Sequence, residues 1–293
     1  MKDDNNFNQR IREKFHDLSN AHKNLAEYII SNSDKAAFLT ASRLGSLVGV
    51  SESTVIRFAT SLDYQGYPEL QKDLQESLRT KLNLVSRFQD TDAAQKTDCP
   101  VRTILNHDID NLKKSMDKVD VESFNAAVDE IIKAPTIYIV AQRSAHCLAV
   151  FLAFYLEMLG KDVRVVPHGI SSIFEQFMSV RNEDLVIGIG FPRYTRKTIE
   201  GLDHARKQGA TTMAITDNIV SPLAQLAEIA LYVESDLGSF IESLTAPLSI
   251  INALVTAVGR KQKNKTLDIL ERLEEVWDEN DIFYLAGKGK KVD

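Results

Sequence analysis

Apolar residues recur at helical spacing through the first part of the chain and give way to short unbroken apolar runs in the second half, so two architectures follow one another. The stretch Thr40-Ala-Ser-Arg-Leu-Gly-Ser-Leu-Val48 predicts a short helix, Gly49-Val50-Ser51 a tight turn, and residues 52–62 a second helix. Gly49 frees the backbone for the turn, and Ser51 is placed to cap the second helix. This is the sequence form of a helix-turn-helix. In the second helix Val55, Phe58 and Leu62 share an inward face, whereas Ser53, Thr54 and Arg57 project from the opposite side near the helix start. A plain pair of bundle helices has the same spacing, so the pattern alone leaves DNA reading and simple packing as alternatives.

After Arg79 the periodicity weakens through a polar stretch that ends at Cys99-Pro100, which reads as a linker over 81–100. Helical spacing resumes from Val101 and changes sharply at Pro135. Five short, nearly all-apolar strands are expected at 136–140, 162–166, 184–189, 211–215 and 229–233, separated by helical segments at 144–159, 170–180, 195–208 and 222–227. Such strands predict a parallel sheet covered on both faces, with ligands gathering at the carboxyl ends of the strands near the switch point. Helical patterns at 240–259 and 262–278 follow. The expected fold is therefore α + α/β: an all-helical helix-turn-helix domain over 1–80, a linker over 81–100, a doubly wound parallel five-stranded α/β domain over 101–285, and a disordered basic tail over 286–293.

Composition narrows the setting. With 293 residues, 44% of them hydrophobic and 26% charged, the chain has ordinary globular makeup and room for two cores. No run of about 18–20 apolar residues is present, and the first residues lack the apolar centre of a signal peptide, so a cytoplasmic protein with no membrane partner is expected. Cys99 and Cys147 are too few and too far apart for a disulfide framework or a zinc cluster, and no metal or cofactor is expected. The net charge of −6 means that DNA affinity has to come from the placement of cations such as Arg43, Arg57 and Lys72 rather than from overall charge. Arg57 is the base-reading candidate, because a guanidinium can bond both acceptors of guanine, with hydroxyls from Ser51, Ser53 and Thr54 beside it.

Two strand-to-helix turns carry the candidate ligand chemistry. Ala141-Gln142-Arg143-Ser144 follows the first strand, and Gly190-Phe191-Pro192-Arg193-Tyr194-Thr195-Arg196-Lys197-Thr198 follows the third. Free N–H groups at helix starts, together with hydroxyls and cations, outline an anion pocket. Arg143, Ser144, Arg193, Tyr194, Thr195, Arg196 and Thr198 are its candidates, with Ser171 and Ser172 at another helix start and Glu242 as a further polar group. The pattern argues against a dinucleotide: Gly188 and Gly190 make a G-x-G, but Arg193 stands at the third glycine position and Val166-Pro167-His168 replaces the ribose-binding acid.

The segments Val50-Ser-Glu-Ser-Thr-Val-Ile-Arg57-Phe58 and Leu62-Asp-Tyr-Gln-Gly66-Tyr67-Pro68-Glu-Leu70, with Leu18 to Ile30 upstream, resemble the DNA-binding domain of the RpiR/MurR family of bacterial sugar-responsive regulators. The likeness covers roughly residues 8 to 80. Residues 125 to 255 are similar to the SIS (sugar isomerase) domain, chiefly at Ser144, Thr195 and Thr198, although a bulkier Phe191-Pro192-Arg193-Tyr194-Thr195 stands where most SIS domains carry a small S-x-S-G-x-T loop. The resemblance implies a homodimeric or homotetrameric, non-enzymatic regulator of sugar-metabolism genes that binds a double-stranded DNA operator and is controlled by a small anionic sugar metabolite, a phosphosugar above all. The alternative is a phosphosugar isomerase with an appended DNA-binding domain, for which Glu242, Glu175, His168 and His204 are the available bases.

Overall fold

The computed structural model describes residues 7–81, 83–94, 99–166, 173–236 and 240–284. The helical region comprises α1 (Phe7–Lys14), α2 (Asn20–Ser31), α3 (Ser33–Ala36), α4 (Ala41–Val48), α5 (Glu52–Ser61) and α6 (Tyr67–Lys81). Hydroxyl caps start three of these: Ser19 accepts from the His22 N–H, Thr40 from Arg43 and Ser51 from Thr54. Each such cap stabilises its helix by about 1 kcal/mol. Gly49 ends α4 in the left-handed region at φ 76°. Gly45 serves the turn in another way, because a Cβ there would stand 2.7 Å from the Val50 carbonyl oxygen. The turn between α4 and α5 is therefore set by one backbone conformation and one close approach.

Leu25, Ile29, Leu44, Val55, Phe58, Leu62 and Leu70 fill the core of this region. The Phe58 ring meets Phe7 and His22 edge-on, at centroid distances of 6.4 and 5.5 Å. The Gly66-Tyr-Pro-Glu-Leu70 segment has a structural account as well. Glu69 accepts the Gln65 N–H at the start of α6, Tyr64 donates to Asp73, and the buried Tyr67 hydroxyl donates to the Leu39 carbonyl at 2.7 Å.

Next come α7 (Leu84–Ala94), α8 (Pro100–Lys118) and α9 (Val121–Lys133). The stretch expected as a linker thus contains a helix of its own. The sheet is then built as β1 (Thr136–Ala141), α10 (His146–Met158), β2 (Asp162–Val165), α11 (Ile173–Gln176), β3 (Leu185–Ile189), α12 (Arg196–Lys207), β4 (Thr211–Thr216) and β5 (Ile229–Tyr232), followed by α13 (Thr245–Lys261) and α14 (Lys263–Glu279). The strand order is β2-β1-β3-β4-β5, all parallel, with Ile139 opposite Ile187 and Ile187 opposite Met213. Alternate strand residues feed two cores. Ile137, Ile139, Ile187 and Ile215 pack with Leu148, Leu152 and Leu254 on one face, while Tyr138, Val140, Val186 and Ala214 pack with Phe177 and Leu202 on the other. Burying both faces explains why the central strands β1, β3 and β4 read as nearly continuous apolar runs, while the edge strand β2 carries Asp162 and Arg164. The chain reverses direction across the sheet between β1 and β3, which opens a crevice at their carboxyl ends.

One expected helix is absent. Residues 222–227 form turns, because Ser221 Oγ accepts the Leu223 N–H and Thr212 Oγ1 donates to the Leu226 carbonyl, taking the groups a helix would pair internally. Among the described residues, no helix is long and apolar enough to cross a membrane. Ser171, Ser172 and His168, and the basic tail, lie outside the described residues.

Candidate functional site

On the helical region, α5 presents a polar face. Ser51 Oγ lies 2.9 Å from Ser53 Oγ and 2.8 Å from Thr54 Oγ1, forming a hydroxyl cluster at the helix start. Arg57 is exposed one turn further along, its Nε donating to the Ser53 carbonyl at 3.3 Å. Burial, and then the charge of Arg57, lower the pKa of His22, which favours a neutral imidazole behind the polar face. The far end of α5 is held by α1: Arg10 donates to the carbonyls of Leu62 and Asp63, and Lys14 pairs with Asp63, itself left-handed at φ 61°. The exposed Lys72 stands 4.0 Å from Glu76. Arg43 is exposed on α4 and also lines a groove that includes Leu39 and Leu47 on one side and Asp217, Asn218 and Val220 from the sheet region on the other.

At the switch point, a cleft of about 690 Å³ is lined by Gln142, Arg143 and Ser144 after β1, by residues 190–195 after β3, and by Phe240, Ile241, Glu242 and Leu244 before α13. The candidates Arg143, Ser144, Arg193, Tyr194, Thr195 and Glu242 are thereby brought together. Arg196 is exposed outside this lining, and Thr198 is buried beneath it, its hydroxyl 2.7 Å from that of Thr195. Sequence spacing put these two on the same loop, but the first turn of α12 points one outward and the other into the core.

The loop backbones are strained. Arg143 and Arg193 both adopt left-handed conformations, with φ 58° and 76°. For a residue with a Cβ, this costs roughly 1–2 kcal/mol, a strain that proteins concentrate at functional sites. Glycine would be the easier residue at either place, yet each loop presents a guanidinium instead. Gly190, half of the G-x-G, has a packing role: a Cβ there would come 2.8 Å from Leu223 Cδ1.

Polar groups in the cleft are organised as two units. Ser144 Oγ donates to Glu242 at 2.8 Å. Tyr194 donates its phenol to Asp217, which also accepts from Thr216 and Asn218. Burial, reinforced by the Asp217 charge, pushes the Tyr194 phenol up, and burial likewise raises the Asp217 carboxyl against the lowering effect of its hydrogen bonds. The Tyr194 ring thus walls the cleft while its hydroxyl is committed behind it.

Three contributors were missed from the sequence. Leu84 of α7 lines the cleft, Phe240 lines it and packs edge-on against Phe88 at 5.7 Å, and Arg87 is buried at 6% exposure. Burial lowers the Arg87 pKa, with the Glu242 charge raising it and the Arg193 charge lowering it. The only available signal was local: Leu84, Arg87 and Phe88 share one face of a helix whose polar C-terminal half hid the pattern.

Comparisons with known proteins follow this division. A helix-turn-helix domain of the rpiR family matches residues 5–81, and a SIS domain matches residues 130–257. The HTH-type transcriptional regulator HexR of Pseudomonas aeruginosa is 26% identical over 282 residues, covering 92% of this chain and 95% of that protein. HexR of Escherichia coli is 25% identical, covering 94% and 95%. Among solved structures, the sugar isomerase domain of an RpiR transcription factor from Sphaerobacter thermophilus superposes with a TM-score of 0.58 at 29% identity, over 61% of this chain and 99% of that one. The Vibrio vulnificus NanR protein complexed with ManNAc-6P shares the fold, with a TM-score of 0.60 at 20% identity over 92% and 97%.

Proposed function

We infer, for a chain that belongs to the rpiR family of helix-turn-helix transcriptional regulators with a following SIS domain, that the cleft at the switch point is the effector site through which a sugar phosphate controls operator binding. The observation that carries this reading is the convergence of Arg143, Ser144, Arg193 and Thr195, from two separate strand-to-helix turns, on one cleft large enough for a phosphorylated monosaccharide. Charge-assisted bonds from the guanidiniums suit a phosphate, at about 1.5–3 kcal/mol each. Glu242 and the Gln142 amide are placed for sugar hydroxyls.

At the other end of the chain, α5 enters the major groove, with Arg57 reading bases and Ser51, Ser53 and Thr54 at the groove edge, while Arg43 and Lys72 contact phosphates. The protein works in the cytoplasm as a homodimer or homotetramer, whose paired reading heads meet half-sites about one DNA turn apart or a multiple of it. A ligand alters operator affinity only by binding two arrangements of the protein unequally, which at a typical coupling of about 1–3 kcal/mol changes affinity by about 5- to 150-fold.

Sensing rather than isomerisation is favoured by the attached helix-turn-helix domain, and two of the four candidate bases stand away from the cleft. Glu242 lines the cleft; Glu175 is exposed on α11, and His204 packs between Phe174 and Phe177 away from it. The test is thermal unfolding with a panel of hexose and pentose phosphates, in which a ligand at a hundred times its dissociation constant adds about 2.7 kcal/mol of stability. The same incubations are assayed for isomerised product. Stabilisation without turnover supports the sensor, turnover supports the isomerase, and no stabilisation by any sugar phosphate removes the effector reading.

A further inference from the structure

We propose that Arg87 is a third guanidinium of the effector site, delivered by α7, so that an anionic ligand is gripped by the helix that leads directly out of the DNA-reading region. This rests on the cleft being the effector site and goes beyond it by assigning a ligand contact to a segment outside both matched domains, which cover 5–81 and 130–257.

Position is the first support. Leu84 and Arg87 are three residues apart and therefore on the same side of α7; Leu84 lines the cleft, and Arg87, one turn further along, is buried at 6% exposure. The next residue, Phe88, packs edge-on against Phe240, which belongs to the cleft wall. The first turn of α7 is thus set against the cleft wall, with Arg87 as its buried residue.

Charge is the second. Arg87 lies near enough to Glu242 and Arg193 for both to act on its guanidinium. Glu242 in turn accepts from Ser144. A buried arginine is tolerated only against anionic or acceptor groups, and here Glu242 provides part of that compensation from within the cleft. A phosphate reaching Ser144 and Arg193 arrives in competition with the Glu242 carboxylate, and offers Arg87 a doubly charged, fork-matched partner in its place. Because α6 ends at Lys81 and α7 begins at Leu84, a ligand that draws α7 onto the cleft through Arg87 acts on the helix next in the chain to the DNA-reading region.

The experiment uses the full-length protein, the sugar phosphate that most stabilises wild type in the hexose and pentose phosphate panel, and inorganic phosphate as a second probe. Affinity is measured by calorimetry for wild type, Arg87→Gln and Arg87→Lys, and amide hydrogen exchange of residues 84–94 is followed with and without probe. The expected result is a loss of at least tenfold in affinity for Arg87→Gln and a smaller loss for Arg87→Lys. Residues 84–94 of wild type should gain protection with the probe, and those of Arg87→Gln should not. Should Arg87→Gln fail to fold, the Lys variant carries the test, since a point charge in place of the fork should still weaken binding severalfold. Wild-type affinity in a folded Arg87→Gln protein overturns the assignment while leaving the effector site standing. If wild type binds neither a sugar phosphate nor phosphate, the effector reading itself fails, and the Arg87 assignment goes with it.

Discussion

Replacing Arg57 with Ala separates reading from folding. Arg57 is exposed, and its described bond is a long one, Nε to the Ser53 carbonyl at 3.3 Å, so truncation should change stability by no more than about 0.5 kcal/mol. As the proposed base reader, the same guanidinium should contribute about 1–3 kcal/mol of base discrimination, equivalent to about 5- to 150-fold per reading head. Two heads on a symmetric operator double the free energy, so even the low estimate gives a loss of about 30-fold. Fluorescence anisotropy with an operator selected from genomic fragments measures this, at fixed salt because phosphate contacts make affinity salt-dependent. The structure supplies an internal control: the Arg57 charge helps to lower the His22 pKa, so in the variant the His22 imidazole should titrate closer to 6.5 by NMR. If His22 moves upward as described while operator affinity stays within twofold of wild type, Arg57 is where the structure puts it but does not read bases, and the reasoning is refuted.

Ser51→Ala removes the cap of α5 and the centre of its hydroxyl cluster, and should lower the stability of the helical region by about 1 kcal/mol in a thermal melt while also weakening operator binding. Tyr194→Phe takes a donor from the half-buried Asp217, which should cost about 1–3 kcal/mol in denaturant unfolding and raise the Asp217 pKa further; an unchanged midpoint would show that Thr216 and Asn218 suffice. Phe58→Ala, which empties the centre of the helical core, should destabilise that region by about 3–5 kcal/mol and abolish DNA binding, whereas stabilisation by sugar phosphate persists. His22 gives a pH signature. Its folded pKa is lowered, so the unfolded chain binds the proton more readily, and this group's contribution is complete above pH 6.5 and declines as pH falls, levelling once the folded form is protonated too. The stability difference between wild type and His22→Gln should therefore shrink on acidification; a constant difference from pH 7.5 to 5 would contradict the shift.

The sequence by itself determined the order of elements and the chemistry of each turn. Periodicity in residues 40–62 places α4, the turn and α5 within a residue of their observed ends, because Thr40, Gly49 and Ser51 act on backbone groups only a few residues away. The three central strands, β1, β3 and β4, are legible for a related reason: burial on both faces leaves each as a nearly unbroken apolar run, whereas the edge strand β2 alternates exposed and half-buried residues. Arg143, Ser144, Arg193 and Thr195 could be named because they occupy strand-to-helix turns, where helix starts offer free N–H groups.

What only the tertiary structure decided are the encounters between distant segments. That Glu242 would meet Ser144 and that Arg87 would be buried beside the cleft depend on how the segment before α13 and α7 fold back onto the strand ends, and that the Tyr194 phenol would turn away to Asp217 depends on the pairing of β3 with β4. Local spacing carries no record of such pairings, since nothing in the periodicity around Arg87 depends on a carboxylate some hundred and fifty residues away. The short 222–227 segment was misread for the same reason, its backbone groups being claimed by Thr212 and Ser221 rather than by its own helix. Elements were fixed by neighbours along the chain; the site was fixed by neighbours in space, where burial and charge compensation chose the partners.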